Sequence, residues 1–596
     1  MIPERLARLR REMEKRNIAA YVVPTADFHE SEYVGDYFKA RKYITGFSGS
    51  AGTAVITPAE AMLWTDGRYF LQAERQLKDT TVTLCRMGEE GVPTIPEYLR
   101  AVLREGDTLG FDGRVVNSAL GRQFRELAEE KHGSLAMGED LVGLIWEDRP
   151  PMSCQPVRVL PEGSTGKSSV QKLADVRAAM EKAGAEVHLL TSLYDIAWLL
   201  NVRGGDIDYV PVVLSYLALT EKECLWFVQS EALSPEVREY LAAIGVEPRP
   251  YEEFYTYAEA IPAGTKVLLD TKVCSTRLCG ALAQGVEVID RPNPTVAMKA
   301  VKNDVEMANT RLAHQKDAAA VIRFIRWLKT NVGKVPMTEI SAADYLAARR
   351  AEQEGFLDLS FSTICGYNAH GAIIHYGATP ETDIPLAPEG LLLVDSGGHY
   401  MEGTTDITRT VALGPVTQEM KDAFTRVLRS HLQLANARFL YGCTGVNLDI
   451  LARGPLWEAG LDYKHGTGHG IGHILNVHEG PNGFRWKTSP DRSEDSVLEE
   501  GMITSDEPGL YFADKFGVRT ESELLCRKGE KNEYGQFMYF ENLTYVPIDL
   551  DAVDPAQMNE TERGFLNEYH AMVYETMAPL LTEEERAWLK DATRAI

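Results

Sequence analysis

The chain has 596 residues, 44% of them hydrophobic and 25% charged, and a formal net charge of −25. Such a length holds several domains and a large core. The acid excess excludes a nucleic-acid surface, which needs clustered cation, as the main business of the molecule.

No stretch is apolar for long enough to span a membrane. The N-terminus, MIPERLARLRREMEKR, is charged from residue 4 and lacks the apolar region of a signal peptide. The eight cysteines are dispersed with no CxxC pair, which predicts reduced thiols in a cytoplasmic protein rather than a disulfide framework or a thiolate metal site.

Residues 1–152 read as a first α/β domain. Leu6, Leu9 and Met13 recur at helical spacing over 5–16. Asn17 ends that helix, and 19–23 is a strand closed by Pro24. The loop GFSGSAGT (46–53) feeds a strand at 54–57. Another follows at 61–64, and TDGRYFLQA then opens a turn and helix. The Gly-rich loop has neither the Lys-Ser/Thr of a phosphate-binding loop nor the spacing of a dinucleotide fingerprint, so a tight turn explains it. Trp64 and Tyr69 are assigned to the core.

Residues 153–298 read as a second copy of the first domain, the alternative being chance similarity between amphipathic helices. LARLRREMEK (6–15) and LADVRAAMEK (173–182) share one frame, and AMLWTD (61–66) has a counterpart in ECLWFV (223–228) at nearly the same offset. The Pro-rich stretch RPPMSCQPV (149–157) is the expected linker. The third region, 299–596, opens with a helix over 302–331. Its apolar positions are Val305, Leu312, Ala319, Ile322, Ile325 and Leu328. The polar stretch 487–500 is expected to be a surface loop, and the tail beyond 550 carries a helical pattern at Phe565, Tyr569, Met572, Val573, Met577 and Leu580.

Chemistry concentrates in this third region. In LLLVDSGGHYMEGTTDITRT, a buried strand ends in Asp395 and a second begins after Asp406. Antiparallel pairing sets two such acids side by side. Taken singly, Asp395 would cap a turn and Asp406 would sit in a solvated loop. Eight of the thirteen histidines, however, fall between 370 and 478. Three more stretches join the acids: AIIHYG with His375, HGTGHGIGHILNVHEG with His465, His469 and His478, and MITSDEPGLYF followed by FGVRTESELL. In this last stretch Glu507 precedes a Pro-Gly turn and Glu521 lies on the following strand. Two Asp, one His and two Glu give five oxygen or nitrogen donors without sulfur. That set suits a pair of divalent cations, Mn²⁺ or Co²⁺ ahead of a closed structural zinc site. Four carboxylates would neutralise two dications.

The order DSGG…TTD, HGTGH, VHEGP, DEPG, VRTE resembles that of the Xaa-Pro aminopeptidases (aminopeptidase P), long three-domain members of the pita-bread metallopeptidase family. SEYVGDYFKARKYITGFSGSAGTAVIT, MLWTDGRYFLQA and LYDIAWLLNVRG extend the resemblance over nearly the whole chain. It implies two related α/β N-terminal domains followed by a pita-bread catalytic domain. It also implies hydrolysis of the N-terminal Xaa-Pro bond of peptides and a homodimer formed through the catalytic region, with no nucleic-acid or membrane partner. Carried over by position, Asp395 would chelate one metal, Asp406 and Glu521 would bridge both, and His469 and Glu507 would bind the second. Mn²⁺ is the expected metal, with Co²⁺ and Zn²⁺ sharing the ligand preference. His375, His465, His478, Tyr511 and Arg519 match further active-site residues. The family's Ile-Glu-Asn or Ile-Glu-Asp around the last ligand is Thr520-Glu521-Ser522 here, and His370 and His473 fall outside the pattern.

In the implied mechanism, two cations sharing a water supply hydroxide near neutral pH. Glu507 carries the proton towards the leaving nitrogen, and His478 or His375 helps hold the oxyanion. Prolidase shares the fold and ligands but cleaves only dipeptides, and methionine aminopeptidase is usually a shorter chain. Relatives that have lost ligands act as binding modules, but all five donors are present here.

Overall fold

The computed structural model describes residues 1–488 and 496–596. Half of the expected surface loop at 487–500 therefore lies outside the described residues. The chain divides into two compact units, one of Met1–Pro161 with Lys167–Thr295 and one of Glu162–Gly166 with Val296–Ile596.

The first unit holds two six-stranded sheets. The first is built from Ile18–Pro24, Thr53–Ile56, Ala61–Thr65, Thr83–Arg86, Thr108–Phe111 and Ser134–Ala136. The second is built from Val187–Leu190, Ser215–Thr220, Cys224–Val228, Glu247–Pro250, Lys266–Leu269 and Glu287–Asp290. With each set ranked in chain order, both sheets run 4-3-2-1-5-6. The pairing senses also agree: 1–2 and 2–3 are antiparallel, and 3–4, 1–5 and 5–6 are parallel. The repeated sequence frame is the buried stripe of the helix that precedes each sheet. Leu6, Leu9 and Met13 are buried on Ile2–Lys15, and Leu173, Val176 and Met180 take the same places on Ser169–Ala183.

The two copies meet reciprocally. Ser118 N donates to Cys274 O and Thr276 N donates to Val116 O, each at 2.8 Å. Ala119 N donates to Thr271 O at 2.9 Å, and Arg277 N donates to Gly113 O at 2.8 Å. Aligned on Asp112 and Asp270, these donors and acceptors are equivalent positions. The seam therefore has the self-complementary pattern of a two-fold contact, made within one chain.

In the second unit, Leu391–Ser396 is the central strand between Ile364–Tyr367 and Ile407–Ala412. A four-stranded sheet follows in the order Arg438–Leu440, Gly535–Asn542, Ser522–Asn532, Ile503–Asp506. The long helix is Asp304–Asn331, started by Asn303, whose side chain accepts from the Val305 and Glu306 N–H groups in a capping box. Four of the six positions of its expected apolar stripe are buried, Ala319 among them. Ile322, Ile325 and Leu328 are buried, but Val305 and Leu312 are 39% and 42% exposed. The inward face near the N-terminus is polar instead, with Glu306, Thr310, His314 and Asp317 buried. Asp317 is satisfied by Arg350 Nε at 2.7 Å and by the Tyr400 hydroxyl at 2.9 Å. All eight cysteines are free thiols, and among the described residues no helix is long and apolar enough to cross a membrane.

Gly121 sits where the copies touch. A Cβ there would lie 2.2 Å from Thr276 Oγ1, and the β-branched threonine cannot turn away freely. Gly121→Val is expected to destabilise the first unit by about 1–3 kcal/mol, read as a lower denaturation midpoint in urea. An unchanged midpoint would mean that the seam is looser than described.

Candidate metal centre

Two antiparallel strand pairs present their acids at matching ends. Asp395 is the penultimate residue of Leu391–Ser396, and Asp406 immediately precedes Ile407–Ala412, with Asp395 in register with Thr408. In the other sheet Asp506 is opposite Ser522, so Glu507 leaves one strand where Glu521 enters its partner. Glu521 therefore occupies the break between Phe516–Arg519 and Ser522–Asn532 rather than a strand position, a correction to the sequence reading. The pairs are joined directly. Glu521 N donates to Thr408 O at 3.1 Å, and Thr408 Oγ1 donates to Glu521 Oε2 at 2.6 Å.

His469 enters from a third direction, on the two-residue strand Gly468–His469. A Cβ on Gly468 would lie 1.8 Å from Ser505 O, so only glycine lets this segment approach the acid-bearing strand. His469 N donates to Ser505 Oγ at 3.0 Å, and Ser505 Oγ donates to Glu507 Oε1 at 3.3 Å. His469 Nδ1 is 3.0 Å from Gly470 O, to which it donates. That tautomer leaves the Nε2 lone pair facing Asp406 Oδ2 at 3.4 Å and Glu507 Oε1 at 3.5 Å.

Asp406, His469 and Glu521 each offer a donor atom within 4.8 Å of the others. Asp406 is 3% exposed, which rules out the solvated-loop reading, and Glu521 is 2% exposed. Burial, and then repulsion from Asp395, Glu507 and Glu523, pushes the Asp406 carboxyl well above the usual range. Burial, and then Asp406, Glu507 and Asp395, does the same to Glu521. Asp395 Oδ1 is buried without a hydrogen-bond partner. A buried carboxylate cluster with an unsatisfied oxygen and an imidazole nitrogen turned towards it fits divalent cations bound through oxygen and nitrogen.

One guanidinium lies among these acids. Arg519 Nη2 donates to Asp395 Oδ2 at 2.6 Å, Nη1 to the Tyr511 hydroxyl at 2.8 Å and Nε to Thr408 Oγ1 at 3.1 Å. Burial alone would lower its pKa, but Tyr511, Asp395, Glu507 and Glu521 outweigh burial and hold it charged. Burial pushes the Tyr511 phenol up to about 12, with Arg519 opposing, so the phenol stays protonated. Its hydroxyl is 2.8 Å from His465 Nε2, and His465 Nδ1 donates to Gly466 O at 2.7 Å. The His478 ring stands edge-on to His469 with centroids 4.1 Å apart. His375 is half-buried in the turn after Asn368–Ala372, a segment that packs on Phe516–Arg519.

Sequence reasoning gave no role to the layer behind these donors. Asp406 N donates to Glu523 Oε1 at 2.7 Å, and His314 Nε2 lies 3.0 Å from Glu523 Oε2. His431 Nδ1 is 2.9 Å from Asp506 Oδ2, beside Glu507. Arg409 donates to the carbonyls of Glu521 and Val546 at 2.5 and 3.0 Å. The nearness of Glu523 to Glu521 in the chain could have raised the first of these. The others join distant segments and leave no local signal. His473 is held by Ser164 O at 2.8 Å, and His370 by Glu339 Oε1 at 2.9 Å.

Residues 308–528 match metallopeptidase family M24, and 536–596 match the C-terminal region of peptidase M24. Residues 5–141 and 148–306 each match a creatinase/prolidase N-terminal domain. Aminopeptidase P2 of Arabidopsis thaliana is 37% identical, over 100% of this chain and 89% of its own length. Aminopeptidase P1 of the same plant is 35% identical, over 97% and 96%. Among solved structures, a Caenorhabditis elegans protein superposes with a TM-score of 0.95 at 33% identity over 100% of both chains. It is described as an X-prolyl aminopeptidase, a cytosolic enzyme with a di-nuclear active site.

The raised carboxyls make a prediction for metal-stripped protein. Between the ordinary carboxylate range and the higher folded values, the unfolded chain binds fewer protons than the folded one, so stability falls as pH rises. In chelator, the Tm should drop from mildly acidic to mildly alkaline buffer. Asp406→Asn should flatten the slope, and saturating Mn²⁺ should raise the Tm throughout. A slope unaffected by both would show that the acids do not repel.

Proposed function

The chain belongs to metallopeptidase family M24, and from that membership we propose that it is an Xaa-Pro aminopeptidase, releasing the first residue of peptides with proline in second position. The reading rests chiefly on the convergence of Asp406, His469 and Glu521 in one buried acid cluster. Full-length similarity to the nematode enzyme supports it. It divides the chain at 152/153 and 298/299, and assigns Asp395, Asp406, His469, Glu507 and Glu521 to two divalent ions, with Mn²⁺ the expected pair. When bound, such ions lower the pKa of water and polarise a carbonyl.

The remaining chemistry belongs to the protein. Glu507, tied to Ser505 and next to His469, takes the proton of the attacking water and passes it to the departing nitrogen. The nitrogen of an Xaa-Pro bond carries no hydrogen before cleavage. The site must therefore accept a proline ring by shape and deliver a proton to its nitrogen. His375 and His478 offer donors to the tetrahedral oxyanion. His465 has both ring nitrogens engaged, by Gly466 O and the Tyr511 hydroxyl, and its part is to position Tyr511. Arg519 fixes Asp395 and Tyr511 together. The substrate's α-amino group sits near the acids. The same reading takes the protein to be a cytosolic homodimer.

The activity is tested with Arg-Pro-Pro, Arg-Pro and Met-Ala-Ser, using metal-stripped protein with and without Mn²⁺. Mn²⁺-dependent release of Arg from the tripeptide, with slow dipeptide cleavage, is the expected result. Preference for Arg-Pro would make the enzyme a prolidase, release of Met would indicate initiator processing, and no cleavage with metal bound would leave a binding module. Asp406→Asn should lose turnover while keeping its fold by circular dichroism. Arg519→Lys, which cannot bridge Asp395 and Tyr511, should lose about 10–100-fold in metal affinity or activity. Sedimentation at micromolar concentration should give a dimer, and a monomer alone would refute that assignment.

A further inference from the structure

The seam between the two N-terminal copies contains a pair of thiols with no part in the metal centre. Cys274 directly precedes Ser275, the N-cap of Thr276–Ala281, and Cys279 is the fourth residue of that helix. Side chains at these two positions fold against each other across a helix start, commonly as an apolar pair. Here the two sulfur atoms are 3.6 Å apart. Cys274 is buried and Cys279 is half-buried. The equivalent residues of the first copy are Val116 and Gly121, so the pair exists in one copy alone. The first copy nevertheless frames it. Ser118 Oγ lies 3.8 Å from Cys274 Sγ, and Arg122, one turn along the same helix, reaches Thr271 Oγ1 at 2.8 Å and Asp290 Oδ2 at 3.3 Å.

We propose that Cys274 and Cys279 are a reversible dithiol–disulfide pair that reacts with hydrogen peroxide, Cys279 being attacked first and Cys274 resolving it. The geometry sets the order, because only Cys279 is open to solvent. The charges agree with it. A hydrogen bond from the Cys274 thiol holds the Cys279 thiol below its ordinary range against the effect of burial, and Ser118 and Arg122 add to the lowering. In the first step the Cys279 thiolate takes one peroxide oxygen, the O–O bond breaks, and the departing hydroxide picks up a proton as water. In the second, Cys274 Sγ attacks Cys279 Sγ, the S–O bond breaks, a second water leaves and the S–S bond forms. Two thiols lose two electrons, and one peroxide becomes two waters. The sulfurs close by about 1.5 Å to reach the disulfide length. Resolution by a neighbouring thiol stops oxidation at a reversible stage, before sulfinic acid, and closes a short covalent loop across the helix start within the second copy.

Trypsin cleaves after Arg277, between the two cysteines, which gives a direct assay. Full-length protein is treated with a slight excess of hydrogen peroxide, alkylated and digested. The expected product is the peptide ending at Arg277 joined to the peptide beginning at Leu278, separating on reduction. In Cys274→Ala, dimedone should label Cys279, and the linked species should vanish. Both thiols alkylated as in untreated protein, or Cys279 carried to sulfinic acid in the wild type, would overturn the proposal. Dimedone on other cysteines in preference to Cys279 would overturn the order of attack.

Discussion

Four carboxylates held together away from water repel one another, and the second unit is arranged around that cost. Two sheets each deliver a pair of acids at a strand end, and the Glu521–Thr408 bonds fix one pair against the other. The Arg519 guanidinium offsets part of the charge and also donates to the Tyr511 and Thr408 hydroxyls. One positive charge cannot neutralise four negative ones in a low-dielectric setting. The cluster therefore favours cations, and the supporting Glu523 and Arg409 meet the backbones of Asp406 and Glu521 rather than their carboxylates.

The first unit solves a different problem by repetition. Its two sheets have the same strand order and pairing senses, and the copies contact one another through equivalent backbone groups. An interface of this kind satisfies donors and acceptors in pairs, so one favourable arrangement is used twice. The identical topology removes chance similarity between amphipathic helices as an explanation of the repeated frame, because Leu6, Leu9 and Met13 and their counterparts are the buried residues of the helix that precedes each of two sheets of one strand order.

Much of this was legible in the sequence for physical reasons. The buried strand ending in Asp395 and the Pro-Gly turn after Glu507 announced where two of the acids emerge. The helix Asp304–Asn331 was less legible at its start. Periodicity detects apolar burial, whereas Asp317 and His314 are buried because Arg350 and Glu523 meet them from elsewhere in the chain. Glu521 was placed on a strand because its neighbours Val518, Thr520 and Leu524 suit one, and only the register of Ile503–Asp506 against Ser522–Asn532 shows that it stands outside. Long-range polar partners have no period to read.

The distribution of the donors along the chain has a consequence for biosynthesis. Asp395 and Asp406 come from one sheet, and Glu507 and Glu521 come from another encoded roughly a hundred residues later. Chains are made from the N-terminus and fold domain by domain, so a ribosome-bound fragment ending before Glu521 presents at most part of the cage. The duplicated first unit, whose strands are all encoded before Thr295, can complete its sheets while the acid cluster is still in pieces. On the proposed ligand assignment, the centre is complete only in the finished polypeptide, and a chain truncated before Glu521 lacks one of its donors.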